Sequence, residues 1–453
     1  MKDKLSFSSY AVVGFMLFAL FFGAGNLIFP AQLGQNAGTN FWPAVLGFLL
    51  TGVGLPLLGI LAMSYSGSKN LQELASRIHP AFGITFTVML YLTIGPFFAA
   101  PRTATVAYDV GFSSFISEGS QQTGLLIFTL LFFLATLFFS LKPGKLIDYI
   151  GKLLAPSIVV LLLILLVMVI AKPMGEIHAP LGDFQGNAFV QGFLEGYNTM
   201  DALASLVFGI IVIKTIRSLG VTSTKGVLAA TARSGLVAIT LLGMIYVGIA
   251  YLGAVSTQEL GVFTTGGPVL SGGAAYYFGQ TGTILLAVIL TLACLTTSIG
   301  LTTACAEYFQ TLFPKVGYKA FAIFFTGITF IIANFGLANI ITYSVPVLML
   351  LYPLAIVLML LAFLSGFFQH KRVVYAITIA VTFLISVTDG LKSLCNSLGI
   401  EYFDWLTPIL SFYEKVLPLY NQGLGWLLPA LLIVLFGSVA LRGFHVRANA
   451  SVK

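Results

Sequence analysis

Residues 18–30 read FALFFGAGNLIFP, and residues 195–201 read EGYNTMD. Each stretch lies in the middle of a long apolar run and interrupts it. Gly23, Ala24, Gly25 and Asn26 break the first run, and Gly196, Tyr197, Asn198, Thr199, Met200 and Asp201 break the second, with Glu195 just before. Glycine and small polar residues let a helix unwind at these points. Unwound backbone at membrane depth is tolerated only where it is buried in protein or lines a cavity. The two interruptions are five spans apart, and their helices start on opposite sides of the membrane. A pair of broken helices at matching positions in two inverted halves is the sequence mark of a secondary transporter's binding site. Two plainer readings stand beside this one: Gly23 and Gly25 as small-residue packing contacts, and Asp201 as the N-cap of the second half of its helix.

The rest of the chain supports a membrane setting. Hydrophobic residues make up 58% of the 453 residues and charged residues only 8%, against about 25% charged in soluble domains. Twelve apolar runs, at about 10–36, 41–66, 80–107, 121–141, 146–171, 188–214, 226–255, 281–311, 317–335, 338–364, 372–389 and 423–441, are each long enough to cross a hydrocarbon core of ~30 Å as a helix. Nowhere is there the ten-residue alternation of a β-barrel. The expected fold is an all-α integral membrane protein.

With the N-terminus placed in the cytoplasm, the inner segments collect Lys2, Lys4, Lys69, Arg77, Lys142, Lys145, Lys152, Lys214, Arg217, Lys225, Arg233, Lys315, Lys319, Lys371, Arg372, Arg442, Arg447 and Lys453. That is 18 of the 22 basic residues, leaving Arg102, Lys172, Lys392 and Lys415. This is the positive-inside asymmetry, and it puts both termini in the cytoplasm. It also accounts for the net charge of +7 without nucleic acid as a partner; the surrounding partner is membrane lipid. Cys294 and Cys305 lie some 16 Å apart along one helix at 1.5 Å per residue, too far to bond. The first apolar run is too long for a signal peptide and is read as a retained helix. The longest connections, 172–187, 256–280 and 390–422, fall on the outer side. The glycine-rich middle one is either a cap over an outer vestibule or an ordinary turn. Residues 402–420, with Tyr402, Phe403, Trp405, Phe412 and Tyr413, are expected to form an aromatic interfacial helix.

Opened at 23–26, the first span would present the amides of Ala24, Gly25 and Asn26 at the positive end of a half-helix, which suits a carboxylate. Carbonyls released from Ala19 to Phe22 suit a cation. Tyr197, Asn198 and Thr199 supply hydrogen-bonding groups, and Asp201 and Glu195 are the acids placed deepest in the bilayer. On the eighth span Ala293, Thr296, Thr297 and Gly300 share a face. Two hydroxyls and a carbonyl there, opposite the released carbonyls, would make an all-oxygen site for a hard monovalent cation; the alternative is that the hydroxyls bond back to their own helix. In the third span Gly95, Pro96 and Ala99 would flank an apolar side-chain pocket. Arg102 is read either as a gate or answer to an acidic partner, or as a side chain snorkelling to the interface.

Four segments, FALFFGAGNLIFP (18–30), GPFFAAPRTATVAYDVG (95–111), GYNTMDALASLVFG (196–209) and LTTSIGLTTACAEYF (295–309), resemble the branched-chain amino acid:cation symporter family of the amino acid–polyamine–organocation superfamily. The resemblance implies a fold like that of the leucine-type sodium symporters, a 5+5 inverted repeat with broken helices 1 and 6. The first repeat would span 1–171 and the second 172–364, with two accessory helices and the outer interfacial segment in 365–453. It implies inward transport of leucine, isoleucine and valine with Na⁺, or H⁺ in some members, across a bacterial inner membrane. No organic cofactor or enzymatic activity is implied. Carried over, the substrate would be held by Gly23, Ala24, Gly25, Asn26, Gly95, Pro96, Ala99, Tyr197, Asn198, Thr199 and Asp201. Na⁺ would sit on the carbonyls of Ala19, Phe22 and Ala293 with the hydroxyls of Thr296 and Thr297; Arg102 and Glu195 would gate. The rivals are a proton-driven carrier titrating Asp201 or Glu195, a membrane enzyme and a channel. An enzyme would gather acids, histidines or cysteines on one face, whereas His79, His178, His370 and His445 lie at span ends or in loops.

Overall fold

A computed structural model describes residues 5–141 and 145–437, and every regular element in it is helical. In chain order the helices are α1 (Phe7–Phe21), α2 (Gly25–Ala37), α3 (Phe41–Leu49), α4 (Leu55–Ser66), α5 (Leu71–Ser76), α6 (Pro80–Leu92), α7 (Ala99–Gly111), α8 (Gln121–Leu141), α9 (Lys145–Ala171), α10 (Ala188–Glu195), α11 (Asp201–Ser218), α12 (Thr224–Leu260), α13 (Gly267–Leu312), α14 (Tyr318–Ala333), α15 (Leu337–Leu364), α16 (Arg372–Leu398), α17 (Leu406–Val416) and α18 (Leu427–Gly437). Seven continuous helical stretches are long and apolar enough to span, and the bent pair α10–α11 makes an eighth. Phe7–Phe21, Val159–Ala171, Tyr318–Ala333 and Leu427–Gly437 are shorter apolar helices. Lys2, Lys4, Lys142, Arg442, Arg447, His445 and Lys453, and the end of the last expected span at 438–441, lie outside the described residues, as do the side chains of Lys145 and Lys152.

Both expected breaks are present. Helix α1 ends at Phe22 in extended geometry (φ −72°, ψ 90°), and α2 begins at Gly25. Pro30 lies within α2 and has no amide to give the Asn26 carbonyl, so the chain cannot form a regular ladder across 23–30. Between α10 and α11 the backbone tightens into a 3₁₀ turn, Gly196–Thr199, and then takes a left-handed step at Met200 (φ 62°). The two halves meet at 47°.

A third break was not expected. Between α6 and α7 the chain widens into a π-turn over Thr93–Phe97, with Gly95 at φ −90°, ψ −117°. Pro96 denies Leu92 its helical donor, and the absence of a side chain at Gly95 lets the Cys305 sulfur approach its backbone. The Cys305 thiol donates to the Tyr91 carbonyl at 3.2 Å. Two boundaries also differ from the sequence reading. Helix α16 continues to Leu398, and residues 267–278, read as loop, are helical and join the eighth span through a kink at Gly279 (φ 62°).

The breaks belong to helices that travel in close pairs. Helices α1 and α2 lie along α12, and α10 and α11 lie along α3 and α4. Reciprocal glycines set both contacts: Gly34 faces the Ala250 carbonyl and Gly253 the Ala31 carbonyl, while Gly47 faces the Phe189 carbonyl and Gly192 the Ala44 carbonyl. A β-carbon at any of the four would overlap backbone. Such contacts let helices approach where lipid gives no hydrophobic drive to associate. They also decide between the readings of Gly23 and Gly25: a β-carbon at Gly23 would meet Thr297 Cγ2 at an ordinary 3.5 Å, and one at Gly25 the Phe29 ring at 3.2 Å. Gly23 serves the break rather than tight packing, while Gly25 serves the break and also packs closely on the Phe29 ring.

A second block surrounds α13, which packs on α7, α9, α14 and α8. Helix α15 touches both α4 and α7, and α16 packs on α15. On the face away from the N-terminus, residues 261–266 lie on α2 and the end of α7. Gln32 donates to the Thr264 carbonyl (2.6 Å) and Gln35 to that of Gly261 (2.9 Å), while Thr265 donates to Asp109 (2.9 Å). That segment covers the seam between the blocks, as a cap would. The aromatic segment contains α17, with Trp405 at its N-cap and Phe412 within it both exposed.

Replacing Gly253 by Val should force α2 from α12, lowering stability by about 1–3 kcal/mol as overpacking does. Gly300→Ala, whose added carbon meets nothing within 4 Å, should leave stability unchanged. Melting of the two detergent-purified variants measures the difference.

Candidate functional site

The breaks of the first and sixth spans face each other and are joined by side chains. The amide of Gly23, which in a continuous helix would bond the Ala19 carbonyl, donates instead to Asn26 Oδ1 (3.1 Å). Asn26 Nδ2 then donates to Asp201 Oδ2 at 2.5 Å and contacts the Tyr246 hydroxyl. Tyr246, on α12, donates to the same Asp201 oxygen at 3.1 Å. All three side chains are buried. The N-cap of α11 is Met200 and Asp201 is its first residue; the N-cap reading of Asp201 gives way to a link among three spans.

At the sixth-span break Asn198 is held at both ends. Its carbonyl, which would serve Ala202 in a continuous helix, accepts from Arg102 Nη1 (2.8 Å), and its side-chain amide donates to Glu195 (2.9 Å). Arg102 does not snorkel: it is 2% exposed, and its guanidinium lies over the Phe29 ring, 5.1 Å from the centroid. Thr199 turns its hydroxyl to the Gly196 carbonyl (2.9 Å). Tyr197 stacks on Tyr352 at 4.1 Å, away from the first span.

Between the breaks lies a narrow cavity of about 50 Å³, tighter than the ~300–1,000 Å³ usual for small-molecule sites. Of the residues expected to hold a substrate, Gly23, Ala24, Gly25, Asn26, Ala99, Thr199 and Asp201 line it, and Arg102 joins them. Gly95, Pro96, Tyr197 and Asn198 are not on its wall. The apolar wall is made by residues the sequence did not assign to the substrate: Leu20, Phe21, Ile94, Met200, Ala204, Phe208 and Leu301, with Thr103 beside Arg102. A break in the third span, had it been read from Gly95–Pro96, would have pointed to Ile94 and Thr103. Tyr246 offered no signal beyond being a tyrosine in mid-span.

On α13 the hydroxyls of Thr296 and Thr297 both donate to the Ala293 carbonyl, at 2.8 and 3.1 Å. This is the back-bonded arrangement, and it gathers three oxygens on one face. Thr297 also reaches the cavity, next to Gly23. Across from it the Ala19 carbonyl has lost its helical donor, as described above.

Comparison with known proteins agrees with this architecture. The family described as "Branched-chain amino acid transport protein" matches residues 6–443. The chain is 47% identical over 439 residues to the branched-chain amino acid permease BraB of Bacillus subtilis (strain 168), covering 97% of each chain. It is 46% identical over 454 residues to the permease BrnQ of Lactobacillus delbrueckii subsp. lactis, covering 99% of this chain and all of that one. Among solved structures, the nucleobase-cation-symport-1 transporter Mhp1 in a closed conformation superposes with a TM-score of 0.57 at 17% identity, over 92% of this chain and 96% of the other, which establishes a shared fold. With this fold and a family match along nearly its whole length, the chain belongs to the branched-chain amino acid transport protein family.

Proposed function

We propose that this protein imports leucine, isoleucine and valine across a bacterial inner membrane by symport with Na⁺, through alternating access. The observation that carries the reading is the cavity between two facing helix breaks, polar at the backbone ends and apolar elsewhere. In it the amides of Ala24, Gly25 and Asn26 receive the substrate carboxylate, Asp201 and Thr199 face the ammonium, and Ile94, Phe208 and Leu301 take the branched side chain. An apolar wall of this kind discriminates a methylene by only ~1–3 kcal/mol, so all three amino acids pass.

Twelve spans with both termini cytoplasmic fit the distribution of basic residues. Residues 1–171 and 172–364 form the two repeats, and 365–453 the accessory part. Na⁺ binds between the Ala19 and Phe22 carbonyls of the first span and Ala293, Thr296 and Thr297 of α13. Its oxygens are hard and uncharged, which suits a monovalent cation. Sodium draws the two blocks together and sets the first-span break in the geometry that accepts the amino acid. Arg102 and Glu195, which grip Asn198 by its carbonyl and its amide, hold the sixth-span break during closure. The sodium gradient drives the cycle, with about 2.3 kcal/mol per charge per 100 mV of membrane potential. Proton coupling through Asp201 is the second reading, favoured by the burial of that carboxylate.

Two measurements test these assignments. In proteoliposomes, radiolabelled leucine uptake should follow an imposed sodium gradient and not a pH gradient. The Thr296→Ala/Thr297→Ala double variant should lose sodium-driven uptake by tenfold or more, about 1.4 kcal/mol. Undiminished sodium dependence there would remove the site, and uptake driven by protons alone would give coupling to Asp201 or Glu195. Separately, Asp201→Asn should reduce leucine affinity about tenfold to a hundredfold, the worth of a charge-assisted bond, while sodium dependence persists. A variant driven equally well with and without sodium would overturn that role.

A further inference from the structure

Arg102 is a full cation enclosed by protein at membrane depth, an arrangement that is costly unless a counter-charge answers it. Its surroundings answer it only in part. Nη1 donates to the Asn198 carbonyl, and the guanidinium face rests on Phe29. Nε, equally buried, has no hydrogen-bond partner among the described residues. The side chain lines the cavity.

The same cavity holds a second positive feature, the start of α2. This is a thirteen-residue helix whose first residues, Gly25 and Asn26, are on the wall. Its amides and dipole favour negative charge at that point. Asp201, the anion lining the same cavity, commits Oδ2 to Asn26 and Tyr246. The cavity wall therefore carries a guanidinium, a helix N-terminus and a carboxylate, the groups with which the two charges of a zwitterion would pair.

We propose that Arg102 is the counter-ion of the substrate's carboxylate, and thereby the residue that selects α-amino acids over amines and amides of the same shape. The assignment rests on the reading that an amino acid occupies this cavity. A guanidinium presents several donors in a rigid plane, so Nη1 can keep Asn198 while Nε turns to the ligand. One side chain then touches both the substrate and the sixth-span break, and occupancy of the cavity is felt directly at that break. An arginine that only tied α7 to the sixth span would weaken every ligand alike when removed.

The test is competition against radiolabelled leucine bound to the purified protein in sodium, using unlabelled leucine and leucinamide, which keeps the side chain and the amine but has no carboxylate. The wild type should prefer leucine by about a hundredfold, the scale of one to two charge-assisted hydrogen bonds. In Arg102→Gln the preference should fall below about threefold, over and above any loss that both ligands share from the missing Asn198 bond. Arg102→Lys keeps the charge and should keep a preference of about tenfold or more; it carries the test if the glutamine variant does not fold. An unchanged preference in Arg102→Gln, a parallel loss of both ligands, or a preference lost in Arg102→Lys would each overturn the inference while leaving the transport reading intact. A wild-type protein that binds none of leucine, isoleucine and valine would instead overturn the transport reading itself, and this inference with it.

Discussion

Asn26 lets the first span come apart in a setting where a lipid-exposed broken helix would not survive. With no water in the bilayer core, each backbone group freed by a break needs a partner from the protein. Asn26 supplies one locally, taking the Gly23 amide, and passes its own side-chain amide to Asp201 of the opposing break. Tyr246 closes the group from the helix against which the first span lies. The two breaks thus stabilise each other, and Arg102 does for the Asn198 carbonyl what Asn26 does for Gly23. Remove that mutual satisfaction and neither break would be a stable place to put a ligand.

The same logic explains the tight glycine contacts. Gly34 and Gly253 bring the first span against α12, and Gly47 and Gly192 bring the sixth against α3. Each broken helix is splinted by an unbroken or gently widened neighbour. The splints keep the half-helices aligned while their central residues depart from helical geometry. The block around α13 has no such backbone-close contacts with the broken spans among the glycines described here, apart from Gly266 of its preceding cap against the Ile28 carbonyl. The cavity and the threonine face lie between that block and the broken spans.

Much of this could be read along the chain. The breaks at 23–26 and 196–200 were visible because glycine and polar residues stand out within apolar runs, and the shared face of Thr296 and Thr297 because helical spacing is local. The apolar wall was not visible. Ile94, Phe208 and Leu301 look like any residue facing lipid, and only the packing of three spans decides which apolar side chains face inward. The place of Arg102 was left open between a gate and a snorkelling cation for a related reason. Counted along a straight helix it belongs near a membrane edge, where a long cation can snorkel. The π-turn at Thr93–Phe97 resets the start of α7, and the guanidinium turns to the sixth-span break instead.

That third break therefore does more than accommodate Pro96. By ending α6 early and restarting at Ala99, it carries Ala99, Arg102 and Thr103 onto the cavity wall together with Ile94 from the turn itself. A straight helix through 80–111 would spread residues 94, 99, 102 and 103 over about half its circumference at 3.6 residues per turn, with residue 94 at the edge of that arc. The Cys305 thiol on the Tyr91 carbonyl pins the turn to α13, the helix that also bears Thr296 and Thr297. The cavity wall formed by the third span and the threonine face are thus both fastened to α13.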